Sequence, residues 1–150
     1  IASAEAQATI DAYFERYRGV RRFLDETVAR ARERGFVTTH LGRRRYLPDI
    51  GSRNRTLRNA AERMAVNSVI QGTAADLIKK AMVAADAAIR EERIPARMIL
   101  QVHDELVFEV EERAAPRLGE RVREIMHGAL PLRVPLLVDL GSGRNWREAH

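Results

Sequence analysis

Apolar residues recur along much of this chain at helical spacing. The spacing predicts amphipathic helices with one buried face each. We expect Gly19 to separate the first two helices and Gly35 to end the second, because glycine tolerates the left-handed backbone found at helix C-termini. We expect Gly72 to kink or restart the long third helix, or to let a ligand approach closely. The predicted helices span residues 3–17, about 20–34, about 57–93 and 112–128.

Short runs of β-branched and aromatic residues predict strands between these helices. One hairpin should pair residues 36–39 with 44–47, and another should pair 97–102 with 106–110. Residues 134–140 have the composition of a final strand. This order of elements is typical of an α+β fold in which a small antiparallel sheet packs against long helices.

The second predicted hairpin has a polar tip, His103-Asp104-Glu105, between two apolar runs. An unpaired buried carboxylate is costly, so the two acids should be presented at a tight bend. Clustered carboxylates on a rigid hairpin suit a hard divalent cation such as Mg²⁺. Since neighbouring strand residues point to opposite faces, one acid would be the firm ligand and the other a looser partner. Alternatively, both acids only solvate a turn.

A polar stripe is expected on the long third helix. Arg63, Asn67 and Gln71 are spaced by four residues and so share one helical face. Such side chains can hydrogen-bond the groove edges, sugars or phosphates of a nucleic acid. An ordinary solvent-exposed helix face is the alternative.

Composition limits the class of protein. The 150 residues have the size of one ordinary domain, and the absence of cysteine excludes disulfides and thiolate metal sites. No apolar run is long enough to span a membrane, and we expect no secretory leader. Neither a glycine-rich phosphate loop nor a serine nucleophile elbow occurs. We therefore expect a protein without membrane contact.

Positive charge is concentrated in one part of the chain. Residues 16–58 contain thirteen arginines and four acids, a local net charge of +9, although the whole chain has only +5. This asymmetry favours a basic face for a polyanion. Within it, Arg43-Arg44-Arg45 could clamp phosphates or line a solvated hairpin edge. The alternative is that arginine serves here only as a common helix-surface residue.

Several segments, in collinear order, resemble the family A DNA polymerases, the bacterial DNA polymerase I group. The stretch Gln101-Val102-His103-Asp104-Glu105-Leu106 is similar to the family's motif C. The resemblance covers essentially the whole chain. The other similar segments are residues 43–49, 61–67, 71–77 and 134–150.

The resemblance implies an activity and a metal cofactor. Asp104 matches the catalytic aspartate of the palm that coordinates metal ions, and Glu105 matches its less critical neighbour. The implied reaction is attack of a primer 3′-hydroxyl on the α-phosphorus of a dNTP, assisted by two Mg²⁺ ions. A bacterial cytoplasmic location at the nucleoid is implied as well.

The resemblance also implies that primer–template DNA is the partner. His103 matches a residue near the primer terminus, whereas Arg63, Asn67 and Gln71 match positions that contact the duplex, largely from the minor groove. The minor groove presents similar acceptors for different base pairs, which suits sequence-independent binding.

By the same resemblance, residues 1–34 are helices adjoining the fingers and palm, and residues 35–150 are palm. The family's second catalytic aspartate, in motif A, and its nucleotide-binding fingers helix match nothing in this chain. Because the chain opens on Ile1, we expect a preceding segment and predict that these residues alone are inactive. The missing strand predicts an exposed sheet edge and self-association. The alternatives are a non-catalytic duplex-DNA-binding module and a homologue without activity.

Overall fold

The computed structural model describes residues 3–149, and the chain forms two compact units that meet in sequence between Thr73 and Ala74. Its helices and antiparallel strands confirm the predicted α+β class. The predicted subdivision after residue 34 stays a prediction. The helices are α1 (Ser3–Arg16), α2 (Arg18–Arg34), α3 (Arg55–Glu91), α4 (Ala115–His127) and α5 (Trp146–Ala149). The strands are β1 (Phe36–Thr38), β2 (Arg44–Tyr46), β3 (Ala96–Val102) and β4 (Glu105–Val110). Pro48–Gly51 and Glu112–Ala114 form 3₁₀ turns.

The boundary between α1 and α2 lies at Tyr17, whose φ is −111° and ψ is 59°. Gly19 is inside α2, so the prediction that it separates the two helices is wrong. The break between the helices lies two residues before Gly19, at Tyr17, whose carbonyl accepts the Val20 N–H at 3.0 Å. Gly35 does end α2, as expected, with a left-handed φ of 75° and an N–H bond to the Ala31 carbonyl at 2.9 Å.

In the first unit, the β1–β2 hairpin packs on α2 and on the beginning of α3. Its register runs from Phe36 opposite Tyr46 to Thr38 opposite Arg44, in agreement with the first predicted hairpin. Alanines on both helices allow the strands to approach closely. The buried core of this unit consists of Ala31, Val37, Leu47, Ile50, Ala61 and Ala65.

Helix α3 is continuous over 37 residues, so the prediction that the helix restarts at Gly72 is wrong. The helical backbone continues past Gly72, and the Thr73 hydroxyl donates to the Val69 carbonyl one turn earlier at 2.6 Å. The close approach predicted at Gly72 does occur. The approaching group, however, is the side chain of this chain's own Thr39.

In the second unit, the β3–β4 hairpin packs one face on two helices, as predicted. The pairing runs from Ala96 opposite Val110 to Val102 opposite Glu105, with one extra residue in β3 between Met98 and Leu100. This extra residue is a β-bulge. The core beneath the hairpin is formed by Ala85 and Ile89 of α3, Leu118 and Val122 of α4, and Met98 and Phe108 of the strands.

Glu92, just after α3, connects to α4 by ion pairs. Its carboxylate accepts from Arg121 Nε at 2.6 Å and from Arg117 Nη2 at 3.4 Å. Arg121 also donates to Glu124 at 2.6 Å. The hydrogen bonds with Glu92 and then Glu124 raise the pKa of Arg121 above its ordinary value, so this side chain stays charged near neutral pH.

Two strand predictions need correction. The described residues form two separate two-stranded sheets instead of one sheet. Residues 134–140 are irregular, and none of the strands within 3–149 pairs with them. Pro135 removes one backbone donor from this segment, and the Leu136 carbonyl contacts the His127 ring at Nδ1 (2.9 Å). Helix α5 was not expected; the Asn145 side chain accepts from the Glu148 N–H near its start at 3.2 Å.

Candidate catalytic hairpin and nucleic-acid interface

The tip of the second hairpin is a two-residue turn made by His103 and Asp104, because Val102 already pairs with Glu105. His103 has a left-handed φ of 52° although it is not glycine. A positive φ is uncommon for a residue other than glycine, although histidine adopts it more often than most residues do. The Gln101 side chain braces the turn by donating from Nε2 to the His103 carbonyl at 2.8 Å. The expected tight bend is therefore present.

The two acids of the tip lie in different backbone settings. Asp104 is an exposed turn residue, whereas Glu105 is the half-buried first residue of β4. Alternation along β4 places Glu105 on the face of the hairpin opposite Phe108, which packs into the core. Asp104 is thus the more accessible carboxylate. Its role as a metal ligand, and that of Glu105, remain predictions.

The two acids of the hairpin tip do not form a metal site by themselves. Within residues 3–149, no three or more histidine, aspartate or glutamate side chains converge in a way that could hold a metal ion. Magnesium typically binds one or two carboxylates and completes its shell with substrate phosphates and water. Asp104 and Glu105 fit such a contribution, with the remaining ligands supplied by other groups.

The predicted polar stripe is present on α3 in the first unit. Arg63, Asn67 and Gln71 are all exposed, on the side of the helix opposite the buried Ala61 and Ala65. The four-residue spacing brings each neighbouring pair within reach of a common partner. The β3–β4 hairpin belongs to the second unit, and we describe the two surfaces separately.

The arginines of the first hairpin lie beside the stripe. The Arg45 guanidinium is 3.5 Å from the sulfur of Met64, the residue after Arg63, and Arg44 stacks over the Phe36 ring at 5.0 Å. Arg44 and Arg45 are exposed, and neither forms an ion pair with another described residue. Their charge is available to a polyanion.

Arginines of α2, in contrast, are partly neutralised by neighbouring acids. Arg21 pairs with Asp25 at 3.1 Å and Arg30 with Glu26 at 3.6 Å, one helical turn apart in each case. The charge excess of residues 16–58 therefore overstates the free positive charge on this helix. The hairpin arginines are the stronger candidates for phosphate contacts.

Two supporting features were not predicted from the sequence. The brace from Gln101 to the hairpin turn is one, and its only signal is an amide residue two positions before the turn. The other is the contact of Thr39 and His40 with Gly72 and Thr73. The sequence signal for this contact is Gly72 itself, a small residue within a long amphipathic helix, which we had interpreted as a kink, a restart of the helix or a place of close ligand approach.

Within residues 3–149, no helix combines the length and the hydropathy needed to cross a membrane.

Comparison with known proteins agrees with the geometry. The model of DNA polymerase family A matches residues 1–148. DNA polymerase I of Pseudomonas aeruginosa is 55% identical over 146 residues, which are 97% of this chain and 16% of that protein. DNA polymerase I of Bacillus caldotenax is 51% identical over 149 residues, 99% of this chain and 17% of the relative.

A solved structure gives the same result. The POL domain of Pol1 from M. smegmatis, in complex with DNA primer-template and dNTP, has a TM-score of 0.97 and 50% identity to this chain. The match covers 99% of this chain and 26% of the solved one. The chain spans only 16–17% of the length of the two polymerases named above. It belongs to DNA polymerase family A.

Proposed function

We propose that this chain is part of a DNA-directed DNA polymerase and contributes carboxylates to its nucleotidyl-transfer site. The observation that carries the proposal is the two-residue turn that holds Asp104 at the exposed tip of a packed hairpin. Family membership supports it, and so does the primer-template and dNTP complex of the M. smegmatis polymerase domain. Such an enzyme would act on DNA in the bacterial cytoplasm, at the nucleoid.

Asp104 would hold Mg²⁺ as the main carboxylate ligand, and Glu105 would assist from the start of β4. Bound Mg²⁺ would favour ionisation of the primer 3′-hydroxyl and neutralise charge that develops on the phosphoryl group and on the pyrophosphate that leaves. The hairpin would contribute rigidity. Its packed face and the Gln101 brace limit movement of the tip.

The polar stripe of Arg63, Asn67 and Gln71 would bind the primer–template duplex from the minor groove. Its side chains are exposed and evenly spaced, which supports this assignment. Exposed Arg44 and Arg45 would add contacts to phosphates. His103 would contact the primer terminus.

We further propose that these 150 residues do not polymerise DNA by themselves. A two-metal site needs carboxylates beyond the adjacent pair at the hairpin tip, and no converging cluster of three ligands exists in the described part of the chain. Primer extension with Mg²⁺ and all four dNTPs should therefore fail for this chain. It should succeed for a longer polypeptide of the same protein that includes motif A and the fingers. Extension by the 150-residue chain would contradict this proposal.

The role of Asp104 is tested by three variants of that longer polypeptide. Asp104→Ala should lower the extension rate by at least ~100-fold, because it removes a charged group that acts on the transition state, with little change in duplex affinity. Glu105→Ala should cost much less. Glu109→Ala is the matched control, since this acid on the same hairpin pairs with Arg97 at 2.6 Å away from the turn.

The activities of these variants distinguish a catalytic role of Asp104 from a general effect of acids on the hairpin. Full activity of Asp104→Ala would disprove the catalytic assignment. An equal loss in Glu109→Ala would mean that any acid on the hairpin matters, for instance through stability. Rates should be measured over a range of Mg²⁺ concentrations, since a weakened metal ligand raises the concentration needed for half-maximal activity.

A second candidate function is that of a non-catalytic duplex-binding module. The exposed and unpaired Arg44 and Arg45, beside the polar stripe, favour it. Titration of this chain with a labelled primer–template duplex should show affinity that falls steeply with salt. Salt-independent or absent binding would contradict the module.

We also propose self-association through the second hairpin. The β3–β4 sheet has only two strands, and Ile99 and Leu100 of β3 are 54% and 47% exposed. Open strand edges with apolar residues readily pair with a second chain. Sedimentation velocity over a range of concentrations should show a reversible dimer. A monomer at all concentrations would exclude it.

A further inference from the structure

The loop between β1 and β2 is fastened to α3 at two successive residues, Gly72 and Thr73. The His40 N–H donates to the Thr73 hydroxyl at 3.0 Å, and this hydroxyl donates to the Val69 carbonyl at 2.6 Å. Next to this bond, the Thr39 methyl group lies directly over Gly72. We call Thr39, Gly72 and Thr73 the latch.

Only glycine fits beneath the Thr39 methyl group. A Cβ atom at position 72 would lie 2.6 Å from Thr39 Cγ2, although 3.9 Å from Thr39 Cβ. The methyl group cannot rotate away freely, because the Thr39 hydroxyl accepts the Arg43 N–H at 3.1 Å. Thr39 is also 9% exposed, so its surroundings are packed. The loop is therefore held on α3 both by the packing of Thr39 against Gly72 and by the hydrogen bond from His40 to Thr73.

The latch joins two surfaces assigned to DNA. Gly72 directly follows Gln71 of the polar stripe, and the loop held by Thr39 leads into the arginines of the hairpin. At the other end, Arg45 contacts Met64, the residue after Arg63. Met64 and Gln71 are seven residues apart and lie on the same side of α3. The hairpin therefore touches α3 at both ends of the stripe.

We propose that the latch positions the arginine hairpin beside the polar stripe, so that both contact the same DNA duplex as a single surface. The inference rests on the proposed DNA binding. Thr39, Gly72 and Thr73 act here as positioning residues and do not touch DNA themselves.

The test uses paired substitutions in the 150-residue chain. Gly72→Ala should displace the loop, whereas Thr39→Ser combined with Gly72→Ala removes the clashing methyl group but keeps the hydroxyl that binds Arg43. Gly19→Ala is the matched control, because a Cβ added there meets no atom within 4 Å.

Binding to a fluorescently labelled primer–template duplex is measured by anisotropy at several salt concentrations, at a temperature where circular dichroism shows each variant folded. Gly72→Ala should bind roughly 3- to 10-fold more weakly, and the slope of log Kd against log salt should fall by about 1 to 2, since each phosphate that is no longer bound lowers it by about one unit. The double variant should recover both values. Gly19→Ala should match the unmodified chain.

Thr73 gives an independent pair of variants should Gly72→Ala not fold. Thr73→Val removes the hydroxyl that holds His40, and Thr73→Ser retains it. Thr73→Val should lower the salt slope, whereas Thr73→Ser should not.

The possible results are distinct. Absent or salt-independent binding by the unmodified chain would contradict the proposed duplex binding itself. Normal binding by that chain with an unchanged salt slope in folded Gly72→Ala, or in Thr73→Val, would overturn the latch alone. A double variant that folds but stays weak would also overturn it, since the contact of position 72 with Thr39 would then not be the cause.

Discussion

The backbone of His103 offers a test of how the second hairpin is held at its tip. This residue has a φ of 52° in a two-residue turn, between paired Val102 and Glu105. Three substitutions vary the cost of that conformation: glycine tolerates it freely, asparagine tolerates it well, and valine is β-branched and does not. The His103 side chain is exposed, and the Gln101 brace reaches its backbone carbonyl, so none of the three removes a packed side chain or that bond.

The expected changes in the free energy of unfolding follow from the cost of a positive φ at position 103. A left-handed conformation costs an ordinary L-residue roughly 1–2 kcal/mol, and histidine and asparagine are among the residues that adopt it more readily. We therefore expect His103→Asn to change the free energy of unfolding by less than about 0.5 kcal/mol and His103→Val to lower it by about 1–2 kcal/mol. For His103→Gly, relief of strain is partly offset by about 0.5–1 kcal/mol of extra freedom in the unfolded chain, so the net gain is small.

Amide hydrogen exchange of β3 and β4 is the most direct assay, because it reports the opening of the hairpin itself in a chain with two compact units. Thermal unfolding gives a second measure, with about 2–4 °C for each kcal/mol in a chain of this size. Arg93→Val at the other left-handed non-glycine residue, φ 50°, is the matched control and should leave the tip amides unchanged. Equal protection in His103→Val and His103→Asn would refute the argument, since the turn would then not enforce a positive φ.

Three further substitutions, and the pH dependence of one of the groups concerned, have outcomes that follow from the rest of the structure. Leu47→Ala should lower stability by about 2–5 kcal/mol in urea unfolding, because Leu47 is 1% exposed and leaves a cavity; a loss well under 1 kcal/mol would show that the first core can collapse around it. Arg121→Met should lower the melting temperature by an amount that shrinks as salt rises, since its main partner is the Glu92 carboxylate at 2.6 Å; a salt-independent loss would point to packing instead. The pKa of Arg121 is raised, so the positive charge contributes its full stabilisation at every pH below the ordinary pKa of arginine. Deprotonation would remove that stabilisation only in strong alkali. We therefore expect no change in stability from Arg121 between neutral and mildly basic pH. Arg97→Ala should change the free energy of unfolding in urea by less than about 0.5 kcal/mol, because the Arg97 and Glu109 side chains are 75% and 61% exposed. A larger loss would mean that this ion pair also holds the strands together.

The elements that sequence patterns predicted well are those whose partners are close in the chain. Both hairpins were found within one or two residues of their observed ends, because each needs only its own two strands. The end of α2 was found as well, since Gly35 acts locally. Residues 134–140 were predicted incorrectly because a strand also needs a partner, and partners distant in sequence leave no local signal.

In the candidate site, too, features with a local sequence signal could be predicted, and contacts between distant residues could not. Asp104 could be found from the sequence because acids between two apolar runs must lie at a bend, and the polar stripe could be found from its four-residue spacing. The latch could not, because only the folded chain brings Thr39 against Gly72, 33 positions later. Gly72 did mark a special position in α3, because the Thr39 side chain packs directly against it.

The β-bulge at Ile99 has a consequence for the second hairpin as a whole. Strand residues alternate between faces, and the extra residue reverses this alternation, so that Met98 packs into the core while Leu100, two positions later, is exposed and lies opposite Val107. If Ile99 were paired in a regular ladder instead of bulged, Leu100 and Val102 would fall on the core-facing side and Gln101 on the opposite face. The bulge therefore fixes the face from which the Gln101 side chain leaves β3 and braces the turn that presents Asp104.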